Sequence, residues 1–241
     1  MRTALLASIA AGALAVATSA NAADLPLAPA VKAPPPPIFS WSGCYVGGHV
    51  GWGWSKPSLS NFPTVAATTT IFTPSASFGI KSSGSLFGGQ LSCDYEFDRN
   101  FVVGIVGSGS AANLSGFADA PLGALLQSKT DLLADVSGRL GVTWGTVLAY
   151  LKGGGAWAHD SIALSFVTGA RTASGGLAGG GIEWTFAQNW SGFVEYDHYF
   201  LRDGTVTFIG PPTALAGVNS AKLSQSIDAV KAGVNYRFRL W

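Results

Sequence analysis

From residue 43 onward the chain is written in a two-residue rhythm. In 44–54 one parity holds Cys44, Val46, Gly48, Val50, Trp52 and Trp54, and the other holds Tyr45, Gly47, His49, Gly51 and Gly53. In 84–97, Phe87, Leu91, Cys93, Tyr95 and Phe97 share one face, and Gln90, Ser92, Asp94 and Glu96 share the other. Such alternation predicts β-strands with two unlike faces. It is weaker in 101–111, where Val102 and Val106 fall on the row that should be polar. It returns in 132–144, with Ala134, Val136, Leu140, Val142 and Trp144 opposite Asp135, Ser137, Arg139 and Thr143.

The second half repeats the pattern. In 147–158, Ala149, Leu151 and Trp157 oppose Tyr150, Lys152 and Gly154, and further on Ala178, Ile182, Trp184 and Phe186 oppose Gly181, Glu183 and Thr185. In 190–201, Val194 and Tyr196 oppose Glu195 and Asp197, and at the end Val230, Ala232, Val234, Tyr236 and Phe238 oppose Lys231, Gly233, Asn235 and Arg237. Eight strands follow, an even number, as bacterial single-chain membrane barrels have.

Connection lengths test this independently. Asp98–Asn100, Gly145–Thr146 and Ala187–Asn189 are short, whereas 55–83, 112–131, 159–174 and 202–225 read as long loops. Membrane barrels join strands by short periplasmic turns and longer external loops, so both ends of the barrel segment fall on the periplasmic side. Aromatics sort the same way. Tyr95, Phe97, Phe101, Trp144, Trp184, Trp190, Tyr236 and Phe238 lie beside the short turns, and Trp52, Trp54 and Trp157 lie near the long loops. Amphipathic rings favour headgroup depth, which gives two girdles. Glycines inside strands, as in Gly47-Gly48, Gly88-Gly89 and Gly153–Gly155, suit a narrow, strongly coiled closed sheet. The predicted fold is all-β: an eight-stranded antiparallel up-and-down transmembrane β-barrel over 43–241.

Composition narrows the rest. Of 241 residues 48% are hydrophobic and only 11% charged, against about a quarter charged in ordinary soluble domains. A net charge of +1 offers no basic field for nucleic acid, which is excluded as a partner. Residues 1–22 carry Arg2, an apolar stretch from Ala4 to Val16 and Ala20-Asn21-Ala22, the layout of a cleaved secretory signal peptide. After it no run of 18 apolar residues offers a helical span. Residues 23–42, with Pro26, Pro29 and Pro34–Pro37, read as an extended proline-rich periplasmic tether.

The chain resembles the small outer-membrane β-barrel proteins of alphaproteobacteria, the porin-family surface antigens with an OmpA-like eight-stranded barrel. The stretches that carry the likeness are Ala23-Asp24-Leu25-Pro26 and the proline run, Phe39-Ser40-Trp41-Ser42-Gly43-Cys44-Tyr45-Val46-Gly47-Gly48, Gly180-Gly181-Ile182-Glu183-Trp184, and Val234-Asn235-Tyr236-Arg237-Phe238. The resemblance implies a bacterial outer-membrane address and a terminal aromatic strand signal read by the barrel-assembly machinery. Val234, Tyr236 and Phe238 match that signal, with the chain continuing through Arg239, Leu240 and Trp241. Some members of the family are haemin-binding, which leaves a surface-loop contact with haem as an outlying alternative. Outer-membrane lipid and lipopolysaccharide are the expected surroundings of the barrel, with its oligomeric state open.

Function turns on the lumen, because an eight-stranded barrel is only about wide enough inside for side chains. Asp94, Arg139, Lys152, Glu183, Glu195, Asp197 and Lys231 share the inward parity, toward the periplasmic half. Charges there must pair. The reading is a plugged interior with a role in envelope integrity and surface interaction, and the alternative is a narrow porin-like channel for small solutes. No serine has glycine both two residues before and two after it, so no nucleophile elbow is present and no enzyme is expected. His49, His159 and His198 match no ligand spacing, so neither a metal nor another cofactor is expected. Cys44 and Cys93 fall on the outward parity of adjacent strands, consistent with a cross-strand disulfide or with two lipid-facing thiols.

Overall fold

Every segment with the two-residue rhythm is a strand in the computed structural model, which describes residues 39–60, 78–98, 100–119, 125–164, 167–207 and 220–238. In chain order the strands are β1 (Gly43–Ser55), β2 (Ser58–Ser60), β3 (Phe78–Gly79), β4 (Lys81–Phe97), β5 (Phe101–Asp119), β6 (Leu125–Trp144), β7 (Val147–Leu164), β8 (Val167–Ala187), β9 (Trp190–Thr207) and β10 (Ser220–Phe238). β1 and β4 through β10 form the wall in sequence order, each antiparallel to the next. β10 returns to pair with β1 from Cys44↔Phe238 to Ser55↔Ile227. Closure gives every wall strand two neighbours, the condition for burying backbone amides in hydrocarbon. The short β2 pairs with Lys222–Ser224 of β10, and β3 pairs with β2.

The short turns fall where the sequence puts them, and local chemistry explains why they are tight. Gly145 takes a left-handed conformation (φ 62°) in the two-residue link between β6 and β7, where a Cβ would be strained. Asp98, in the turn after β4, is also left-handed (φ 51°), a conformation aspartate tolerates better than most residues. Each turn is tied to the following hairpin: Thr143 N–H donates to the Asn100 carbonyl, Thr185 to Thr146 and Arg237 to Asn189, at 2.7–2.9 Å.

The long connections differ from expectation. Much of 112–131, 159–174 and 202–225 continues the ladders, so β5 to β10 run 18 to 21 residues, whereas about 9–11 suffice to cross a bilayer. These upper halves escape a search for lipid-type alternation because their polarity reverses. On β4 the outward row passes from Phe87 to Ser85, Ser83 and Lys81, while Leu86 points inward and is buried. On β7 the row above Trp157 continues as His159 and Ser161, while Ala158 and Ile162 are buried. On these strands roughly nine to thirteen residues of lipid-type pattern are followed by a stretch with polar residues facing out, whereas β1 ends at Ser55, just past Trp52 and Trp54. Register shifts mark the change at Ala111/Leu114, Thr130/Leu132 and Leu223/Gln225. Bulges there re-aim the rows as the wall leaves the membrane.

The interior is filled in layers. Inside the outer half lies an apolar cluster that includes Leu86, Leu114, Leu133, Leu177, Leu201 and Ile227, a layer that the inward charges of the periplasmic half gave no reason to expect. The periplasmic end is floored by Trp41, Val102, Leu148 and Tyr150, with Phe39 packed against them. Val102 and Val106, the out-of-pattern valines of the third segment, are thus interior residues. Residues 39–42, the last of the stretch read as tether, pack with the barrel, and Trp41 is buried at its mouth. The rest of the tether, the signal-peptide segment and the residues after Phe238 lie outside the described residues.

Glycine placement follows the same inside-outside logic. A Cβ on inward Gly88 would stand 2.1 Å from the Gly109 carbonyl oxygen, and one on inward Gly154 equally close to that of Val136. Outward Gly109 has open space. Close backbone approach on the concave side is what lets so small a ring coil shut.

Candidate functional site in the barrel interior and at its outer rim

All seven charged residues assigned to the lumen from parity are buried there, and the structure brings them together as two linked ion networks. Register explains the grouping. Arg139 on β6 lies opposite Gly104 on β5 and Lys152 on β7, so its long side chain crosses a glycine-cleared space. In the network nearer the periplasm the Arg139 guanidinium joins Asp94 Oδ2 on β4 and Glu183 Oε2 on β8, the latter at 2.7 Å. Arg237 on β10 reaches the same Asp94 oxygen with both terminal nitrogens at 3.2 Å. Ser191 Oγ (2.6 Å) and Asn235 Nδ2 (3.1 Å) donate to Glu183 Oε1. Both guanidiniums lie against aromatic rings, Arg139 over Tyr45 and Tyr150 and Arg237 over Tyr45 and Trp41, at 4.7–5.4 Å. Such contacts strengthen where water is excluded.

The second network is built from ammonium groups. Lys152 Nζ lies 2.9 Å from Glu195 Oε1 and 3.0 Å from Asp197 Oδ2. Lys231 Nζ lies 2.7 Å from Asp197 Oδ2 and donates to Tyr199 Oη at 2.8 Å. Tyr150 Oη donates to Glu195 Oε2 at 2.9 Å, which bridges the two networks. Asp135 Oδ1 accepts from Ser108 Oγ (2.5 Å) and Tyr199 Oη (3.3 Å). Lys231, Asp197 and Glu183 are each 0% exposed, so the interaction is undiluted by water and removal of any partner leaves a charge in low dielectric. Farther out, Asp160 accepts from Thr130 Oγ1 (2.7 Å) and Gln225 Nε2 (3.4 Å), with Arg171 at 3.9 Å.

The set of seven charges did not include Arg237 and Asp135, although both were placed on the inward row, nor Tyr45, Tyr150, Tyr199 and Trp41. A signal for Arg237 existed. The assigned set held four acids against three bases, and a buried set with one unmatched carboxylate calls for another cation on the inward parity. Trp41 had no such signal, because it precedes the first alternating segment. It is held by its backbone: its N–H donates to Glu96 Oε2 at 2.9 Å, and its carbonyl accepts from Arg237.

Cys44 and Cys93 are directly opposite on β1 and β4 and are joined as a disulfide, with Cα atoms 3.9 Å apart. Of the two alternatives for this pair, the structure has the bridge. Val234, Tyr236 and Phe238 form the outward row at the end of β10, where Tyr236 packs edge-on against Trp190 and Phe238. The histidines face three different environments. His49 Nε2 is 2.7 Å from Ser110 Oγ in the interior, His159 Nδ1 is 3.2 Å from Thr172 Oγ1, and His198 Nδ1 is 2.6 Å from Asp228 Oδ1 at the rim. Among the described residues no group of three or more His, Cys, Asp or Glu side chains is placed to hold a metal ion.

Outside, the large exposed hydrophobics form a continuous belt. It includes Val46, Leu91, Ile105, Leu140, Leu151 and Ile182 at mid-height, with Trp144, Trp184 and Trp190 toward the turns and Trp52 and Trp157 toward the upper edge. Such a belt on a closed ring, over an ion-paired interior, defines an integral β-barrel of the bacterial outer membrane.

The resemblance drawn from the sequence is borne out by comparison with known proteins. The chain is 28% identical over 259 residues to the 31 kDa outer-membrane immunogenic protein of Brucella melitensis biotype 1, covering 99% of this chain and all of that protein. The Brucella suis biovar 1 protein of the same name matches equally. Among solved structures, the outer membrane protein OprG of Pseudomonas aeruginosa shares the fold, with a TM-score of 0.54, 15% identity and coverage of 82% of this chain and 97% of that one. No family model matches the chain.

Proposed function

We propose that this is a surface-antigen-like structural barrel whose bore is closed to solutes. It contributes to envelope integrity, and its protruding outer rim is the surface that meets partners. One observation carries this reading: side chains fill the interior along its length, from the Trp41 floor through two ion networks to the apolar cluster. An apolar constriction opposes ion passage by dewetting, and the networks leave no cation free to relay an anion. Strands β4 to β10 extend past the lipid-type band, so the outer rim of the wall stands beyond the membrane, the end of a barrel at which binding surfaces are commonly carried on loops. The name of the Brucella relatives, an outer-membrane immunogenic protein, agrees with an exposed surface of this kind.

The competing reading is a narrow channel. It draws on buried polar atoms without a partner, among them Asp135 Oδ2, Asp197 Oδ1 and Ser137 Oγ, which a thread of water through the bore would satisfy. Planar-bilayer recording of the refolded full chain separates the two. The closed-bore reading predicts silent bilayers from protein that migrates as a compact folded species without heating. Reproducible unitary current steps from the same preparation contradict it.

A further inference from the structure

Two lysines stand opposite one another just above the tryptophans of the upper girdle, and neither has an ion-pair partner among the described residues. The β1–β4 register runs from Gly43↔Asp94 to Ser55↔Ser82. The hydrogen bond from Ile80 N–H to the Pro57 carbonyl at 2.9 Å continues it, so Lys56 and Lys81 occupy the intervening facing positions. Both are exposed, while Ser55, Pro57, Ile80 and Ser82 on either side of them are buried, so both lysines lie on the outward row. Facing side chains of a ladder have Cβ atoms about 5 Å apart, and like charges placed there destabilise the pair. The other exposed lysines of the rim are neutralised: Lys129 pairs with Asp131 at 2.8 Å and Lys222 with Asp203 at 3.0 Å. Asp228, opposite Trp54, acts on Lys56 through space without forming an ion pair with it. It is already engaged by Tyr196 Oη at 2.5 Å and His198 Nδ1 at 2.6 Å.

Directly below this pair, on the same outward face, lie Trp54 opposite Ser83 and Trp52 opposite Ser85. The patch thus combines two unpaired cations, two small hydroxyls and two indoles at the height where the wall passes from lipid-type to water-type residues. We propose that Lys56 and Lys81 form a binding site for the phosphorylated headgroup of an outer-leaflet glycolipid. Its phosphate lies between the two ammonium groups, its sugar lies against Ser83 and Ser85, and its acyl chains run down past Trp52 and Trp54. The charge complementarity is local. Doubly cationic, faced by an Asp228 carboxylate that is already held by Tyr196 and His198, and set at headgroup depth, the site selects a phosphate carried on a lipid. This rests on the outer-membrane orientation of the barrel and is independent of whether the bore conducts.

The test uses the full chain folded in bicelles, titrated with a bis-phosphorylated, multiply acylated glucosamine disaccharide and, separately, with the same lipid after enzymatic removal of its phosphates. Bound lipid is counted by native mass spectrometry. The Lys56→Gln, Lys81→Gln double variant is expected to bind the phosphorylated lipid about thirtyfold more weakly, a loss of roughly 2 kcal/mol for two basic groups removed from a charged surface. Its binding of the dephosphorylated lipid is expected to be unchanged. The Lys129→Gln, Lys222→Gln variant removes the same formal charge from groups already paired and is expected to keep wild-type affinity. Equal affinity of the Lys56/Lys81 variant and the wild type overturns the site. So does an equal loss in both double variants, which would reduce the effect to general surface charge. Free phosphate competing as well as the lipid would overturn the headgroup assignment. Unheated gel mobility, which depends on the closed barrel, is expected to be the same for all variants.

Discussion

Replacing Arg139 by methionine is expected to destabilise the barrel by about 3–5 kcal/mol, the cost of leaving buried carboxylates without a cation. Arg139 is the bridge between Asp94 and Glu183, on strands at opposite sides of it in the wall. Without it both carboxylates fall to Arg237 alone, whose nearest nitrogen is 3.6 Å from Glu183. Methionine fills much of the same volume, so the loss is electrostatic before it is steric. The control is Lys222→Met. Its partner distance of 3.0 Å resembles those in the lumen, but both side chains are about half exposed, at 50% and 44%. Exposed pairs contribute about 0–1 kcal/mol. Urea unfolding in detergent, followed by tryptophan fluorescence and by the shift in unheated gel mobility, should therefore separate the two variants widely. Equal losses would mean that water reaches the bore and screens the network.

Ile105→Arg carries the second large effect, and here two views of the same surface predict opposite results. Ile105 is 68% exposed. On a soluble protein a substitution at such a site changes stability by about half a kcal/mol or less. On the lipid face of a membrane barrel near mid-height, arginine costs about 2–4 kcal/mol. Its neighbour in the register, Gly138 on β6, lies among outward residues that are apolar for several positions either way, so no partner is available to the guanidinium. The same change at Asn113, outward on β5 and above the band, is expected to be near neutral. Reversible folding into short-chain phospholipid vesicles measures both. A neutral Ile105→Arg variant would place that row in water.

Much of this architecture was legible because a membrane wall imposes a two-residue code wherever lipid touches it. The turns at Gly145 and Asp98, the belt through Leu91, Ile105 and Leu140, and the inward set from Asp94 to Lys231 all follow from that code. Where the lipid ends the code inverts. Residues 112–119, 125–131, 159–164 and 167–174 therefore read as loops in the sequence, although they are strands, with Leu114, Ile162 and Ala173 buried beside Thr130 and Asp160 and with Asn113, Lys129 and Thr172 facing out. The glycines add a second ambiguity, because inward Gly154 and outward Gly109 look alike in sequence and differ only in how near the next backbone comes. Trp41 was hidden for another reason. A plug residue outside the strands follows no periodicity, and it is held by Glu96 and Arg237, which lie far from it in the chain.

The most direct measurement follows the outward row of β6 with a nitroxide on single cysteines introduced at Leu140, Val136, Leu132, Lys129 and Gln127, with the Cys44–Cys93 bridge left intact. In bilayers, relaxation by dissolved oxygen reports hydrocarbon, and relaxation by a water-soluble nickel chelate reports water. Labels at Leu140 and Val136 should respond to oxygen alone, those at Lys129 and Gln127 to the chelate, with the crossover near Leu132. Chelate access along the whole row, or its exclusion from the whole row, would contradict a wall that leaves the membrane halfway along its strands.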